Sequence, residues 1–223
     1  MIILLRFHAL DAHQRMSRVQ WWSAKFLRLL GITLTAEGTP APGAKLLVAN
    51  HISWLDILAI NAVVPARFVS KSEVRHWPVV GRLVSAAGTL YIERARARDA
   101  MRVVHQMAEA LRAGDTLAIF PEGTTTDGHS LLPFHANLLQ AAIATKTPVQ
   151  PVALRFSDAA RRVSPAVAYI GDTSLMQSAI MVVLAEKLTA HVHLLDAEPT
   201  KNVDRRAAAQ RARESIAQRL NAS

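Results

Sequence analysis

A histidine and an aspartate five residues apart, His51 and Asp56, have the side chains in this sequence best suited to acid–base chemistry. An acid within reach of an imidazole decides which ring nitrogen carries the proton and stabilises the cationic ring, so the pair could act as a general base. On one continuous helix the two side chains would lie about 140° apart and could not meet. They can meet at a corner, where His51 precedes a helix and Asp56 lies in its first turn.

The flanking sequence predicts such a corner. Residues 45–49 indicate a short buried strand and residues 54–64 a packed helix, so His51 would lie where α/β proteins present working groups to a cleft. A structural interpretation stays open beside the chemical one. Ser53 and Asp56 have the S-x-x-D spacing of a helix N-terminal cap, and a single histidine in a loop is often an ordinary surface residue.

A second polar loop, "PEGTTTDG" at residues 121–128, follows a strand predicted at 115–120. Glu122, Gly123 and the hydroxyls that begin with Thr124 could surround an anion or a developing oxyanion with short donors and backbone N–H groups. A polar turn is the alternative interpretation of the same residues.

Three arginines, Arg94, Arg96 and Arg98, follow a strand predicted at residues 89–94. Guanidinium groups match phosphate oxygens in geometry and charge. The alternative is a solvated first turn of the next helix. Because Arg94 directly continues the strand, it is the arginine that we expect to point inward.

The order of predicted elements indicates an α/β fold. Strands alternate with helices, which is typical of a single mixed, largely parallel sheet with helices on both faces. We predict an α/β domain over residues 38–223, preceded by an amphipathic helical segment at 1–37 that binds membranes. Within the domain, residues 164–170 are predicted to form a strand and residues 190–195 an edge-like strand.

The charge distribution favours a lipid partner. The net charge is +9, and the segments 1–28 and 201–223 each carry a net +4. Basic ends suit nucleic acid or anionic lipid, but residues 18–32 interleave tryptophan, phenylalanine and leucine with cations, as an interfacial helix requires. We therefore expect an anionic membrane surface and no nucleic acid. No apolar run of about 18 residues occurs, so we predict no transmembrane helix.

Metal and thiol chemistry find little support in the sequence. The chain has no cysteine, which excludes disulfides, thiolate catalysis and cysteine-based zinc sites. His191 and His193 lie on one strand face, but a zinc site needs further ligands, and a polar edge strand is the alternative. We expect no metal.

Four segments in order resemble the glycerolipid acyltransferases of the 1-acylglycerol-3-phosphate acyltransferase type. The first is the family's N-H-x-S-x-x-D block, which runs from Asn50 to Asp56 and contains the HX4D motif from His51 onward. The others are "YIER" at 91–94, "FPEGT" at 120–124 and "VQPVAL" at 149–154. The resemblance covers roughly residues 20–195.

The resemblance implies transfer of a fatty acyl group from a thioester to a lysolipid hydroxyl, with acyl-CoA or an acylated acyl carrier protein as co-substrate and no other cofactor. His51 would be the general base and Asp56 would orient it. Arg94 and Glu122 would shape the acceptor site, and Gly123 and Thr124 would supply donors. The acceptor implied first is 1-acyl-sn-glycerol-3-phosphate, which gives phosphatidic acid. The implied location is peripheral, on the cytoplasmic face of the inner membrane.

The sequence departs from the family pattern at two places. Many members that form phosphatidic acid have arginine after "FPEGT" and a Lys-Gly pair after "LPF", whereas this chain has Thr125 and then His135 and Ala136. The loss of two cations leaves a lyso-ornithine lipid as the alternative acceptor. Two other classes also stay open: a thioester hydrolase that uses the same histidine, and a non-catalytic membrane-binding protein. The sequence contains no G-x-S-x-G motif, which is the motif that would indicate a serine esterase.

Overall fold

The computed structural model describes residues 10–72, 85, 88–92 and 97–222, and within them one seven-stranded sheet carries six α-helices. The strands are β1 (Thr33–Glu37), β2 (Lys45–Ala49), β3 (Arg67–Lys71), β4 (Leu90–Ile92), β5 (Thr116–Ile119), β6 (Val149–Ser157) and β7 (Thr189–Leu194). The helices are α1 (Ala12–Leu29), α2 (Leu55–Val63), α3 (Ala97–Arg112), α4 (Gln140–Thr145), α5 (Leu175–Leu184) and α6 (Arg205–Ala222).

The sheet has the strand order β1-β7-β6-β2-β5-β3-β4, and every neighbouring pair is parallel except β6 with β7. This confirms the predicted single mixed, largely parallel sheet. The central strand β2 pairs with β5 on one side and β6 on the other, with Val48 opposite both Ile119 and Pro151. The loops that follow these three strands therefore leave the same edge of the sheet, where α/β proteins place their ligand sites.

Helices cover both faces of the sheet, as predicted. On β2, Leu47 and Ala49 join a core formed with α1, α2 and α5. Leu46 and Val48 point the other way and join a second core formed with α3, α4 and α6. A strand buried on both faces needs apolar residues in succession rather than in alternation, which is why residues 46–49 are a continuous apolar run.

The N-terminal segment packs against the rest of the fold. Asp11 and Gln14 form a reciprocal capping box at the start of α1, and Leu27 near its end is buried in the first core. The Gln20 amide donates to the carbonyls of Ala62 and Val63 at the end of α2. The domain division at residues 37 and 38 stays a prediction. No described helix combines the length and the apolar character that a bilayer crossing requires.

Two sequence predictions about strands were wrong. Residues 164–170 contain a 3-10 turn at Pro165–Val167 instead of a strand, because Pro165 presets the first turn and the Ser164 side chain accepts the N–H of Ala166. The second error concerns β7, which is not an edge strand. It lies between β1 and β6, and β1 forms that edge of the sheet.

Candidate active site

The structure brings the histidine and the aspartate together at the predicted corner. His51 lies between β2 and α2, Asp56 lies in the first turn of α2, and His51 Nδ1 is 2.7 Å from Asp56 Oδ2. The Asp56 side chain is 0% exposed, whereas that of His51 is 20% exposed. Because the carboxylate accepts the Nδ1 proton, the lone pair of the imidazole lies on Nε2. The proton-accepting nitrogen therefore belongs to the partly exposed residue of the pair.

Asp56 also organises the backbone of the corner. Its Oδ2 atom accepts the N–H groups of Ile52 at 2.7 Å and Ser53 at 2.9 Å. The Ser53 hydroxyl is buried and finds no hydrogen-bond partner among the residues that the structure describes, so it does not cap the helix as the S-x-x-D spacing suggested. Asp56 thus keeps the acid half of a capping box and also binds the imidazole.

An aromatic stack supports the imidazole from one side. The rings of His51 and Phe120 are nearly parallel, with centroids 4.0 Å apart and an angle of 9° between their planes. Phe120 in turn packs on Phe68, with centroids 5.7 Å apart. A flat contact on one face and a hydrogen bond at Nδ1 together restrict rotation of the ring.

Glu122 joins the site to two neighbouring backbone segments. Its Oε1 accepts the N–H of His51 and its Oε2 accepts the N–H of Leu132, both at 2.8 Å, and the residue is only 3% exposed. Burial raises the pKa of Glu122, and the two N–H donors oppose this only in part. Gly123 follows with a φ of +75°, a conformation that glycine adopts without strain.

Two further side chains hold the loops at this edge together. The buried amide of Asn50 donates to the Leu154 carbonyl at 2.9 Å and accepts the Leu154 N–H at 2.8 Å. Thr126 donates to the His51 carbonyl through its N–H at 2.8 Å and through its hydroxyl at 3.2 Å. The corner is therefore hydrogen-bonded to Leu154 of β6 and to the loop that follows β5.

The structure places five of the six predicted site residues at one edge of the sheet: His51, Asp56, Glu122, Gly123 and Thr124. Gly123 donates its N–H to the Phe120 carbonyl at 3.1 Å, and Thr124 is exposed beside it. The sixth residue, Arg94, lies outside the described residues. The chemical role of all six stays a prediction.

Sequence reasoning assigned no role to Asn50 or Phe120, and it counted Thr126 only among the hydroxyls of the second polar loop. Each lies inside or beside one of the two polar motifs, so position along the chain was the signal available for them. Their partners come from β6, from the aromatic stack and from the His51 carbonyl, none of which can be inferred from spacing.

The departures from the family pattern also have a defined structure. The Thr125 hydroxyl donates to the Tyr169 carbonyl, so this side chain bonds the protein backbone. His135 is exposed, and its N–H donates to the Pro121 carbonyl at 2.9 Å. Neither position presents a permanent cation at the edge of the sheet.

The paired histidines on β7 have protein partners. His191 places Nδ1 2.8 Å from the Thr35 hydroxyl and Nε2 2.8 Å from the Ser157 hydroxyl. His193 Nδ1 is 2.9 Å from a guanidinium nitrogen of Arg219. Within the described part of the chain, no three His, Cys, Asp or Glu side chains come together as a metal site would require. Both histidines bond neighbouring side chains, but β7 is not the polar edge strand that the sequence suggested.

A histidine held by a buried aspartate at the C-terminal edge of an α/β sheet is suited to proton transfer during group transfer. The family model described as Acyltransferase matches residues 32–155, which is more than half of the chain. The chain belongs to the acyltransferase family, and it is an O-acyltransferase.

Curated relatives agree with this assignment, and a solved structure has the same fold. The chain is 38% identical over 206 residues to a lyso-ornithine lipid O-acyltransferase of Pseudomonas aeruginosa, covering 91% of this chain and 77% of the relative. It is also 38% identical over 188 residues to a 1-acyl-sn-glycerol-3-phosphate acyltransferase of Neisseria meningitidis, covering 84% and 73%. The fold matches the 1-acyl-sn-glycerophosphate acyltransferase PlsC of Thermotoga maritima, with a TM-score of 0.76, 20% identity and coverage of 99% and 86%.

Proposed function

We propose that this protein transfers a fatty acyl group from a thioester to the free hydroxyl of a lysolipid, with His51 as the general base. The observation that carries the proposal is the 2.7 Å contact between His51 Nδ1 and the buried Asp56 carboxylate, which leaves Nε2 available to take a proton. The donor is acyl-CoA or an acylated acyl carrier protein.

The reaction follows from this geometry. His51 Nε2 takes the proton of the acceptor hydroxyl as the oxygen attacks the thioester carbonyl carbon. The tetrahedral intermediate collapses, the carbon–sulfur bond breaks, and the imidazolium returns its proton to the leaving thiolate. Asp56 stabilises the imidazolium while it exists. The enzyme forms no covalent intermediate and needs no metal.

The first acceptor that we propose is 1-acyl-sn-glycerol-3-phosphate, and the product is phosphatidic acid. The relative from Neisseria meningitidis is named for this substrate. Arg94 is the cation that we assign to the acceptor phosphate, because guanidinium groups bind phosphate oxygens in a fork. Glu122, Gly123 and Thr124 shape the same site. Arg94→Ala should then raise the KM for this acceptor sharply, and an unchanged KM would move the assignment to the second acceptor.

A lyso-ornithine lipid is the second candidate acceptor, and one contact favours it. Thr125 stands where many phosphatidic-acid-forming members have arginine, and its hydroxyl donates to the Tyr169 carbonyl. A site without that cation is suited to a head group without a phosphate monoester. The relative from Pseudomonas aeruginosa is named for this lipid.

One assay tests the activity and separates the two acceptors. Thiol release from a long-chain acyl-CoA is measured with no acceptor, with 1-acyl-sn-glycerol-3-phosphate and with lyso-ornithine lipid. We expect acceptor-dependent release that His51→Ala abolishes and that the matched variant His105→Ala preserves, because His105 is exposed on α3. Release without any acceptor would indicate a hydrolase, and full activity in His51→Ala would contradict the proposal.

We also propose that the enzyme associates peripherally with the cytoplasmic face of the inner membrane through the outer surface of α1. Trp21 and Leu29 are exposed there beside Arg18, Lys25 and Arg28, and the Lys25 ammonium lies 4.7 Å from the centre of the Trp21 ring. Aromatic and aliphatic side chains among cations favour the interface of an anionic bilayer.

The helix α5 extends this surface. Its exposed large apolar side chains are Met176, Ile180, Met181, Val183 and Leu184. Both helices cover the same face of the sheet. Trp54 connects them, because its ring packs on Phe26 of α1 at 6.5 Å and its Nε1 donates to the Ser178 hydroxyl of α5 at 3.0 Å. Several exposed apolar residues on one short helix favour contact with lipid over contact with water.

Vesicle sedimentation tests this surface. Trp21→Ser with Leu29→Ser, and separately Ile180→Ser with Leu184→Ser, should each reduce binding to vesicles that contain phosphatidylglycerol. Met101→Ser is the matched control, because Met101 is also exposed but lies on α3, on the opposite face. Equal binding by all variants would contradict the proposed surface.

A further inference from the structure

A basic cavity of about 820 Å³ shares the loop after β5 with the candidate active site. It is open to the surface and is lined by α6, by residues 128–131 of that loop, by Arg155 of β6 and by residues within 161–165. Four arginines line it: Arg155, Arg161, Arg162 and Arg213. None of the described residues that line it is an aspartate or a glutamate. Four guanidinium groups around one space, with no aspartate or glutamate among its described lining residues, produce a strongly positive potential.

Two of these arginines bond backbone carbonyls instead of carboxylates. Arg213 donates to the Leu132 carbonyl at 3.0 Å and the Leu131 carbonyl at 2.9 Å. Arg162 donates to the Leu220 carbonyl at 2.5 Å. These bonds hold the cations in place but do not neutralise their charge. The ion pairs of α6, between Arg211 and Glu198 and between Arg219 and Glu37, involve residues that do not line the cavity.

Arg155 is half-buried and has other cations close to it. Burial lowers the pKa of Arg155, and the neighbouring cations Arg162 and Arg219 lower it further, while Glu37 opposes them. A bound anion would relieve this repulsion. The crowding of like charges around a cavity is therefore explained more simply by a ligand than by the stability of the fold.

The cavity shares two connections with the candidate active site. Asn50, the residue before His51, bonds both backbone groups of Leu154, the residue before Arg155. The second connection runs through Leu132, which donates its N–H to Glu122 and accepts from Arg213, and Glu122 in turn binds the His51 N–H. Because successive strand residues point to opposite faces, Arg155 points away from the core that contains Leu154.

We propose that this cavity binds the phosphate groups of the acyl donor, which are those of coenzyme A. The inference rests on the proposed acyl transfer. Phosphate could also come from the head group of the acceptor. In that lipid, however, only a few bonds separate the phosphate from the reacting hydroxyl, whereas a long pantetheine arm separates the donor phosphates from the thioester. A cavity that is separated from the candidate active site by the segments around Leu132 and Leu154 suits the longer pantetheine arm of the donor.

Calorimetric titration with coenzyme A tests the site without turnover. Arg161→Gln is the milder variant, because the Arg161 side chain is exposed and the hydrogen bonds between Arg161 and Asp158 use the Arg161 backbone. We expect Arg161→Gln to weaken the Kd for coenzyme A about threefold or more, and Arg155→Gln with Arg161→Gln about tenfold or more. The matched control is Arg206→Gln, which removes an exposed cation of α6 that does not line the cavity.

A second ligand identifies the phosphate. Coenzyme A without its 3′-phosphate should bind the wild-type protein more weakly than coenzyme A does, and the difference should shrink in the double variant. The KM for the lysolipid, measured at saturating acyl-CoA, should change less than about twofold in both cavity variants. A thermal midpoint for each variant shows whether it is folded.

The outcomes separate this inference from the proposed function. Coenzyme A binding by His51→Ala at the wild-type affinity, together with loss of binding in the cavity variants, supports the site even if transfer fails. Equal affinity of wild-type protein and both cavity variants for coenzyme A, or no binding by wild type, overturns it. A raised lysolipid KM with unchanged coenzyme A affinity assigns the phosphate to the acceptor and overturns the donor assignment.

Discussion

The Glu122 carboxylate accepts the main-chain N–H of His51 at 2.8 Å, and the Glu122 residue is buried. Its second oxygen accepts the N–H of Leu132. Glu122 therefore connects the loop after β2 to Leu132, a residue of the loop after β5 that Arg213 of α6 also contacts. The proposed catalytic corner depends on a buried carboxyl group that accepts a backbone N–H at each of its two oxygens.

The first prediction concerns stability against pH. Burial raises the pKa of Glu122, so the folded state holds this proton more tightly than the unfolded chain does. The stabilisation is complete below the unfolded pKa of about 4.3 and is lost as pH rises through the folded pKa. The difference in unfolding free energy between wild type and Glu122→Gln should therefore shrink as pH rises above that value. Urea titrations at several pH values measure it, and a growing difference would contradict the prediction.

The second prediction concerns Asp56→Asn. An asparagine amide cannot stabilise the imidazolium as a carboxylate does, so kcat should fall by about 10³-fold to 10⁴-fold. The KM for the lysolipid should change little. Asp127→Asn is the control, because Asp127 is an exposed acid in the neighbouring loop that accepts the His129 N–H. Initial rates decide the matter, and a loss in kcat under about tenfold would argue against His51 as the base.

The third prediction concerns Asn50→Ala. This change leaves the N–H and the carbonyl of Leu154 without the amide that now bonds both, at about 1–3 kcal/mol for each buried group. Both stability and kcat should fall, because the clamp positions the corner. Asn61→Ala removes another buried amide, one that accepts the Ala66 N–H, and should reduce stability while retaining kcat. Urea denaturation and initial rates compare the two variants. Equal kcat values for both would contradict the positioning role of Asn50.

The fourth prediction concerns the aromatic stack. Phe120→Leu removes the flat contact on His51 and should lower kcat by about tenfold, since the imidazole gains rotational freedom. Phe68→Leu should mainly lower the thermal midpoint, because Phe68 is buried and reaches the imidazole only through Phe120. Measuring kcat and the thermal midpoint for both variants tests this distinction. A larger loss of kcat in Phe68→Leu than in Phe120→Leu would reverse the assignment.

The local sequence predicted most of the fold correctly. Residues 45–49 form β2 as expected, and the predicted helix at 54–64 appears as α2 over Leu55–Val63. Hydrophobic runs and turn residues carry that information locally. The misplaced strand at 164–170 and the misjudged edge at β7 have different causes. Pro165 and the Ser164 side chain form a local turn, whereas the position of β7 depends on strand pairing. Pairing with a distant strand, such as β1 with β7, leaves no local signal.

The sequence alone determined the side chains available for chemistry, the alternation of strands and helices, and the family to which they belong. Only the tertiary structure decided which atoms meet. It directed both Glu122 oxygens to backbone amides, placed Phe120 against the imidazole and gathered four arginines around one cavity. The reason is physical: hydrogen-bond and stacking partners are set by the packing of segments far apart in the chain, and spacing along the sequence does not record those distances.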